Sequence, residues 1–160
     1  MLRRLLNTSS DFSPLVARVT LGLVLIPHGA QHMLGWLGGY GFKGTLGWMT
    51  GTLGFPAPLA ALAITVEFLA PFALLLGLLS RPAALGIIGL MLGALSTHVG
   101  NGFFMNWFGA LPAGQEGFEY HIIAIGLAAT VVLQGSGAFS VDRLLSARRS
   151  GTLSPSTGTV

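Results

Sequence analysis

Apolar residues gather along this chain in four long runs, with polar residues between them. The runs extend from about Leu15 to Gly35, Pro58 to Leu79, Pro82 to Val99, and from Tyr120 to Gln134 or slightly beyond, to about residue 137. Each approaches the roughly 20 residues that a helix needs to cross a bilayer. Pro14, Pro58 and Pro82 stand near the start of a run, where the missing N–H costs nothing and the fixed φ suits a first helical turn. None of the runs alternates with the period of two that marks a barrel strand. The pattern predicts an all-α, integral membrane four-helix bundle over residues 15–146, preceded by a short segment (1–14). A tail over 147–160, rich in Ser, Thr and Gly, is expected to be disordered.

Composition sharpens this picture. The 160 residues are 52% hydrophobic and only 8% charged, with 24 glycines and no cysteine. A soluble domain carries about a quarter of its residues as charges, so this chain cannot solvate a globular surface. The missing cysteine excludes disulfides, thiolate metal sites, iron–sulfur clusters and a cysteine nucleophile. The net charge is +3 and the basic residues are scattered, so nucleic acid is not an expected partner; the lipid bilayer is.

The arginines supply an orientation. Arg3, Arg4, Arg18, Arg81, Arg143, Arg148 and Arg149 all fall on one side of a four-span topology, whereas the opposite loops hold the single basic residue Lys43. The positive-inside rule then puts both termini in the cytoplasm of a bacterial-type inner membrane, with an uncleaved first helix. The outer loops are unusual. Trp36 to Phe55 and Phe103 to Phe118 are dense in aromatics and glycines, including Trp48 and Trp107, and read either as a lid over the bundle or as an interfacial belt.

Ionisable groups are costly at membrane depth and ask for a partner or a purpose. His28 and His32 in the first span, Glu67 in the second, His98 at the end of the third, and Glu119 with His121 at the start of the fourth all fall in the outer half. At about 1.5 Å per residue, His28 stands roughly 20 Å above Leu15 and Glu67 about 14 Å below the outer side. This convergence predicts a proton-linked pocket for a polar-headed hydrophobic ligand such as a quinone. His28 and His32, four residues apart, share a face and could also ligate a metal with Glu67 or Glu119. They lack the H-E-x-x-H pattern, and no metal site is assigned. A satisfied His–Glu network that only joins helices is the competing expectation.

On the inner side, Arg18, Arg81 and Asp142 read as a structural latch, an Arg–Asp pair clamping the mouth of the bundle. Gly22, Gly77, Gly86, Gly89 and Gly93 are expected to serve close helix packing inside the bundle, although Gly89-x-x-x-Gly93 is also a dimerisation-type motif. A homo-oligomer therefore stays open.

With these residues placed, the chain resembles the DoxX family of small four-helix membrane proteins over about residues 14–146. The resemblance rests on Arg18, on His28-Gly29-Ala30-Gln31-His32 followed by Gly35, on Glu67 before Gly77 and Arg81, on Gly117-Phe118-Glu119, and on Gly135-Ser136-Gly137-Ala138-Phe139-Ser140-Val141-Asp142. Two positions depart from the family pattern: a lysine is common where this chain has His32, and a proline where it has Ser136. The resemblance implies a membrane subunit linked to redox chemistry, oxidoreductase-like and acting with other membrane or periplasmic redox subunits. His28, Glu67 and Glu119 match the family's polar positions and are the candidate catalytic groups. His32, His98, His121, Trp36, Trp48 and Trp107 are the candidate ligand-binding groups, the tryptophans enclosing a ring. No intrinsic redox cofactor is evident, and quinone is the candidate ligand. The alternative is a non-catalytic anchor or accessory subunit of a larger membrane complex.

Overall fold

The computed structural model describes residues 8, 10–109, 111–112 and 114–151. Arg3, Arg4 and positions 152–160 of the expected tail lie outside the described residues. Among the described residues six α-helices follow in order: α1 (Phe12–Leu34), α2 (Gly41–Gly51), α3 (Ala57–Leu76), α4 (Ser80–His98), α5 (Glu119–Gln134) and α6 (Val141–Gly151). No strand occurs among the described residues. Three helical segments are long and apolar enough to cross a membrane, Phe12–Leu34, Ala57–Leu76 and Ser80–Asn101, while Glu119–Gln134 is apolar but shorter. The fold is a helical membrane bundle.

Helices α1, α3, α4 and α5 close a ring in which α1 packs most extensively on α3, α3 on α4, α4 on α5, and α5 back on α1. The core is a column of side chains of graded size, including Leu21 and Leu25 from α1, Leu74 from α3, Ala84 and Ile87 from α4, and Ala128 and Val131 from α5. Their spacing of three or four residues defines the inward stripe of each helix. Elsewhere the apolar side chains are exposed, as a lipid-facing surface requires.

Close packing falls on some of the expected glycines and not on others. A Cβ on Gly29 would stand 2.6 Å from the Glu67 carbonyl oxygen, and one on Gly22 would stand 2.7 Å from the Leu75 side chain, so α1 and α3 meet through these two positions. Gly86 abuts Val66, but Gly89 and Gly93 have nothing within 4 Å among the described residues. The core face of α4 is set by Ala84, Ile87 and Met91. Gly89 and Gly93 sit two positions on from Ile87 and Met91, about 200° round the helix, and so point away from the bundle rather than into it.

Two helices were not predicted. Within the Trp36–Phe55 segment, α2 packs against both α1 and α3, with Thr45 only 2% exposed. Gly35, in the left-handed conformation (φ 74°), ends α1 and opens the chain toward α2. At the other end of the chain, α6 continues through Gly151, past the point where a disordered tail is expected to begin.

The arginine-bearing end is joined through main-chain groups. Arg18, 1% exposed, donates to the carbonyls of Leu74 and Leu75 at the end of α3 and to those of Ser136, Ala138 and Phe139 between α5 and α6. Arg81 donates to the carbonyls of Val132 and Leu133 at the end of α5. The Asp142 carboxylate accepts from the N–H groups of Leu79 and Ser80 at the start of α4, at 2.8 and 3.1 Å, and from the Ser136 hydroxyl. Among the contacts of the described residues, the latch works through main-chain caps rather than a direct Arg–Asp hydrogen bond. The cations satisfy orphan carbonyls at helix C-termini and the anion satisfies orphan N–H groups at an N-terminus, the signs that the helix dipoles favour. Ser136 contributes its hydroxyl to this cap.

Candidate functional site

At the opposite end, each helix of the ring contributes a polar group. His32 lies on the last turn of α1, and its Nδ1 is 2.6 Å from Glu67 Oε2 on α3. Glu67 is buried, at 8% exposure. Its reach is explained by Gly29, which brings the α1 backbone onto α3 three residues before His32, less than one helical turn. Tyr120 lies on the first turn of α5. Its ring is 5.8 Å from that of the adjacent His121, and the His121 ring is 4.9 Å from that of His98 at the end of α4.

The result is a string of polar residues in two joined parts, His32–Glu67 between α1 and α3 and Tyr120–His121–His98 between α5 and α4. Its ends and middle differ in how well they are satisfied. His98 Nδ1 is 2.8 Å from the Ala94 carbonyl oxygen, which can only accept, so this nitrogen donates to it. In the middle, the Tyr120 hydroxyl and His121 Nδ1 are buried without a hydrogen-bond partner among the described residues. Unpaired polar atoms in a membrane interior cost several kcal/mol each, so these two groups on successive residues are the least satisfied part of the string.

The remaining sequence candidates lie elsewhere. His28 is exposed on the flank of α1, and it is His32 that meets Glu67. Glu119 turns toward the α4–α5 loop, where its Oε2 accepts from the Met105 N–H at 3.2 Å and from Trp107 Nε1 at 3.0 Å. Three backbone bonds, from Gly117 to Phe104, Phe118 to Gly102 and Glu119 to Phe103, draw the two arms of that loop together. A cavity of about 290 Å³ opens in it, lined by Asn101–Phe108 and Leu111. Trp36, Trp48 and Trp107 are 64%, 45% and 70% exposed, so none of them closes over a buried ring. Among the described residues, no group of three or more His, Cys, Asp or Glu side chains gathers as a metal-binding set.

Tyr120 and Thr45 are the polar residues the sequence did not single out. Tyr120 was legible as a phenol flanked by Glu119 and His121 at the head of an apolar run. Thr45 carried no comparable signal, since its segment read as loop.

A bundle of apolar helices, carrying main-chain arginine caps at one end and an ionisable string at the other, defines a small polytopic membrane protein with a polar site inside it. The DoxX family model matches residues 13–107, and the inner membrane protein YphA of Escherichia coli (strain K12) is 30% identical over 131 residues, covering 81% of this chain and 87% of that protein. The chain belongs to the DoxX family. The family match takes in α1 to α4 and ends before α5, so Tyr120 and His121 lie beyond it. No solved structure gives a significant match.

Proposed function

We propose that the protein binds a lipid-soluble quinone, or a molecule of the same chemistry, at the Glu67–Tyr120–His121 stretch of the polar string, as the membrane subunit of a redox system. The observation that carries this reading is the pair of buried, unpartnered polar atoms, Tyr120 Oη and His121 Nδ1, beside an ionisable His32–Glu67 pair. A quinone headgroup offers carbonyl oxygens that accept from a phenol and from an imidazole N–H. Its redox chemistry requires protons, which His32 and Glu67 are placed to hold and hand on. Glu119 takes a different part from the one its sequence position suggests, holding the α4–α5 loop together. The positive-inside rule places the arginine end in the cytoplasm and the site in the outer half of the membrane. Electrons come from a partner protein, because the chain supplies no redox centre of its own.

The test is gentle detergent extraction followed by mass spectrometry of the retained small molecules. Quinone is expected with the wild-type protein and is expected to be lost from the Glu67→Gln/Tyr120→Phe variant. A wild-type protein that retains none, or a variant that retains as much, overturns the reading.

One observation favours a second reading, that of an accessory subunit. Gly89 and Gly93 present a smooth outward face on α4, the kind of surface that admits a neighbouring helix. Co-purification separates the two: a stoichiometric complex that survives loss of the polar string supports the accessory role.

A further inference from the structure

At the arginine-bearing end, Arg18 and Arg81 are engaged by main-chain carbonyls. Arg143, on the first turn of α6, is exposed, and no hydrogen bond or ion pair engages its guanidinium among the described residues. The neighbouring Asp142 carboxylate is buried and already accepts from the Leu79 and Ser80 N–H groups. Apolar surface stands around this cation. Arg143, Leu144 and Ala147 are all exposed, so one flank of α6 faces away from the bundle. Just before the helix, the Phe139 ring is 79% exposed and meets the exposed Phe12 ring edge-on, with centroids 6.1 Å apart. Phe139 has a φ of 48°, a left-handed conformation that a bulky residue rarely adopts. It is fixed there by buried Arg18, which donates to the Ala138 and Phe139 carbonyls. Leu79, at the same end, repeats the pattern with a φ of 49° and an exposed side chain. Strained backbone of this kind persists only where the surroundings impose it, and it gathers at functional positions. The helix itself is eleven residues long, a length that is marginal for an isolated helix in water. Its first turn is tied to the bundle by the Asp142 N–H, which donates to the Gly77 carbonyl at 2.9 Å.

We propose that this end is a docking surface for an anionic phospholipid, with Phe12, Phe139 and Leu144 sunk into the leaflet and the Arg143 guanidinium on the headgroup phosphate. Charge decides the occupant. Hydrocarbon alone would satisfy the three apolar side chains, but the guanidinium beside them lacks a partner, and a phosphate matches its fork of donors. The sequence of α6 adds Arg148 and Arg149 and, after Asp142, no acid, so the helix as a whole is complementary to an anionic leaflet. A short helix that carries both cations and apolar side chains is stabilised by lying in the membrane interface, which supplies the cover it lacks in water. This surface stands apart from the polar string at the other end of the bundle and does not depend on what binds there.

The chain has no cysteine, so a single nitroxide spin label on Leu144→Cys reports this surface alone. The full chain is reconstituted in phosphatidylcholine vesicles with and without phosphatidylglycerol. Access of the label to dissolved oxygen, which favours lipid, is compared with access to a water-soluble nickel chelate. Phosphatidylglycerol is expected to move the label from the chelate to oxygen, and high salt to reverse the move. Arg143→Gln is expected to lose this response and Arg143→Lys to keep it, which separates loss of charge from a folding defect. Native mass spectrometry in detergent supplies a second readout. One basic residue at the surface strengthens attraction to anionic lipid by about fivefold, so Arg143→Gln should lose about that much affinity for phosphatidylglycerol and none for phosphatidylcholine. Phe139→Asn, which removes the ring at a left-handed position that asparagine tolerates, should weaken both lipids alike. A label that stays in water in both vesicles, or enters both equally, overturns the proposal. So does an Arg143→Gln variant that responds as the wild type does. A label shielded from both reagents shows that protein, a partner or a second copy, covers the surface, and overturns the lipid as its occupant.

Discussion

Gly29 on α1 lies directly against the backbone of Glu67 on α3: a Cβ there would meet the Glu67 carbonyl oxygen at 2.6 Å and the Phe68 Cα at 2.8 Å. These contacts are with main chain, which cannot swing aside, so a side chain at position 29 must push the two helices apart. Gly29→Ala is expected to destabilise the bundle by about 1–3 kcal/mol through overpacking. Gly89→Ala is the matched control. It removes a helical glycine where nothing lies within 4 Å, and is expected to be neutral or stabilising by up to about 1 kcal/mol. Thermal unfolding in detergent, followed by tryptophan fluorescence, measures both. Equal midpoints for the two variants would contradict the packing described.

The same approach sets the His32–Glu67 pair. Removing one partner leaves the other exposed to an apolar surrounding, so His32→Leu and Glu67→Leu are each expected to destabilise. The two together should cost less than their sum, with a coupling of about 0.6–2 kcal/mol, typical of polar pairs between membrane helices. His32→Lys keeps an N–H donor opposite Glu67 and is expected to recover most of the loss. A double-mutant cycle in detergent with a zero coupling term would show that the two side chains do not support each other.

Arg18 is the most heavily engaged side chain at the other end. It is buried and serves five carbonyls on two segments far apart in the chain. Arg18→Met leaves those carbonyls without donors and is expected to cost about 3–5 kcal/mol, in the range for stripping a buried charged partner. Arg18→Lys offers three donors from a single point where the guanidinium spreads five, so an intermediate loss of about 2 kcal/mol is expected. Yield of folded protein and unfolding midpoint should fall in the order Arg, Lys, Met. A lysine variant as stable as the wild type would mean that charge, not the fork of donors, is what matters.

These relationships mark what was legible in the sequence. The apolar runs bounded by Pro14, Pro58 and Pro82 gave the bundle helices, because bilayer thickness and helix rise leave little freedom in how such runs fold. His32, Glu67, His98 and His121 meet toward one end of the bundle, since height along a span follows from counting residues. Facing was harder. His28 and His32 share a stripe by spacing, yet each four-residue step turns about 40° further round the helix, enough to put His32 on Glu67 and leave His28 on the flank. The direction of Gly89 and Gly93 likewise depends on which stripe of α4 the core claims, and only Ala84, Ile87 and Met91 in contact with their neighbours decide it. The partners of Arg18 are main-chain carbonyls, and those of Asp142 are two main-chain N–H groups besides the Ser136 hydroxyl; main-chain partners are ones a sequence does not display.

Glu119 separates a structural carboxylate from a chemical one. Its Oε2 receives the Met105 N–H and the Trp107 indole N–H, and a carboxamide oxygen can accept the same two bonds while a methyl cannot. Glu119→Gln is therefore expected to keep the α4–α5 loop folded, with only the weakening that follows from loss of charge, and Glu119→Ala to release it. A hydrogen bond to a charged acceptor contributes about 1.5–3 kcal/mol, so amide exchange at Met105 should accelerate by about tenfold or more in the alanine variant and much less in the glutamine variant. The amides of Gly117 and Phe118, paired with Phe104 and Gly102 across the loop, should follow Met105 if the loop opens as a unit. If Met105 exchanges at the wild-type rate in Glu119→Ala, the carboxylate is not what holds the loop and becomes available for proton chemistry. Quinone retention in Glu119→Gln then decides its role: a fold kept and a ligand kept assign Glu119 to the loop, whereas a fold kept and a ligand lost bring it back to the site.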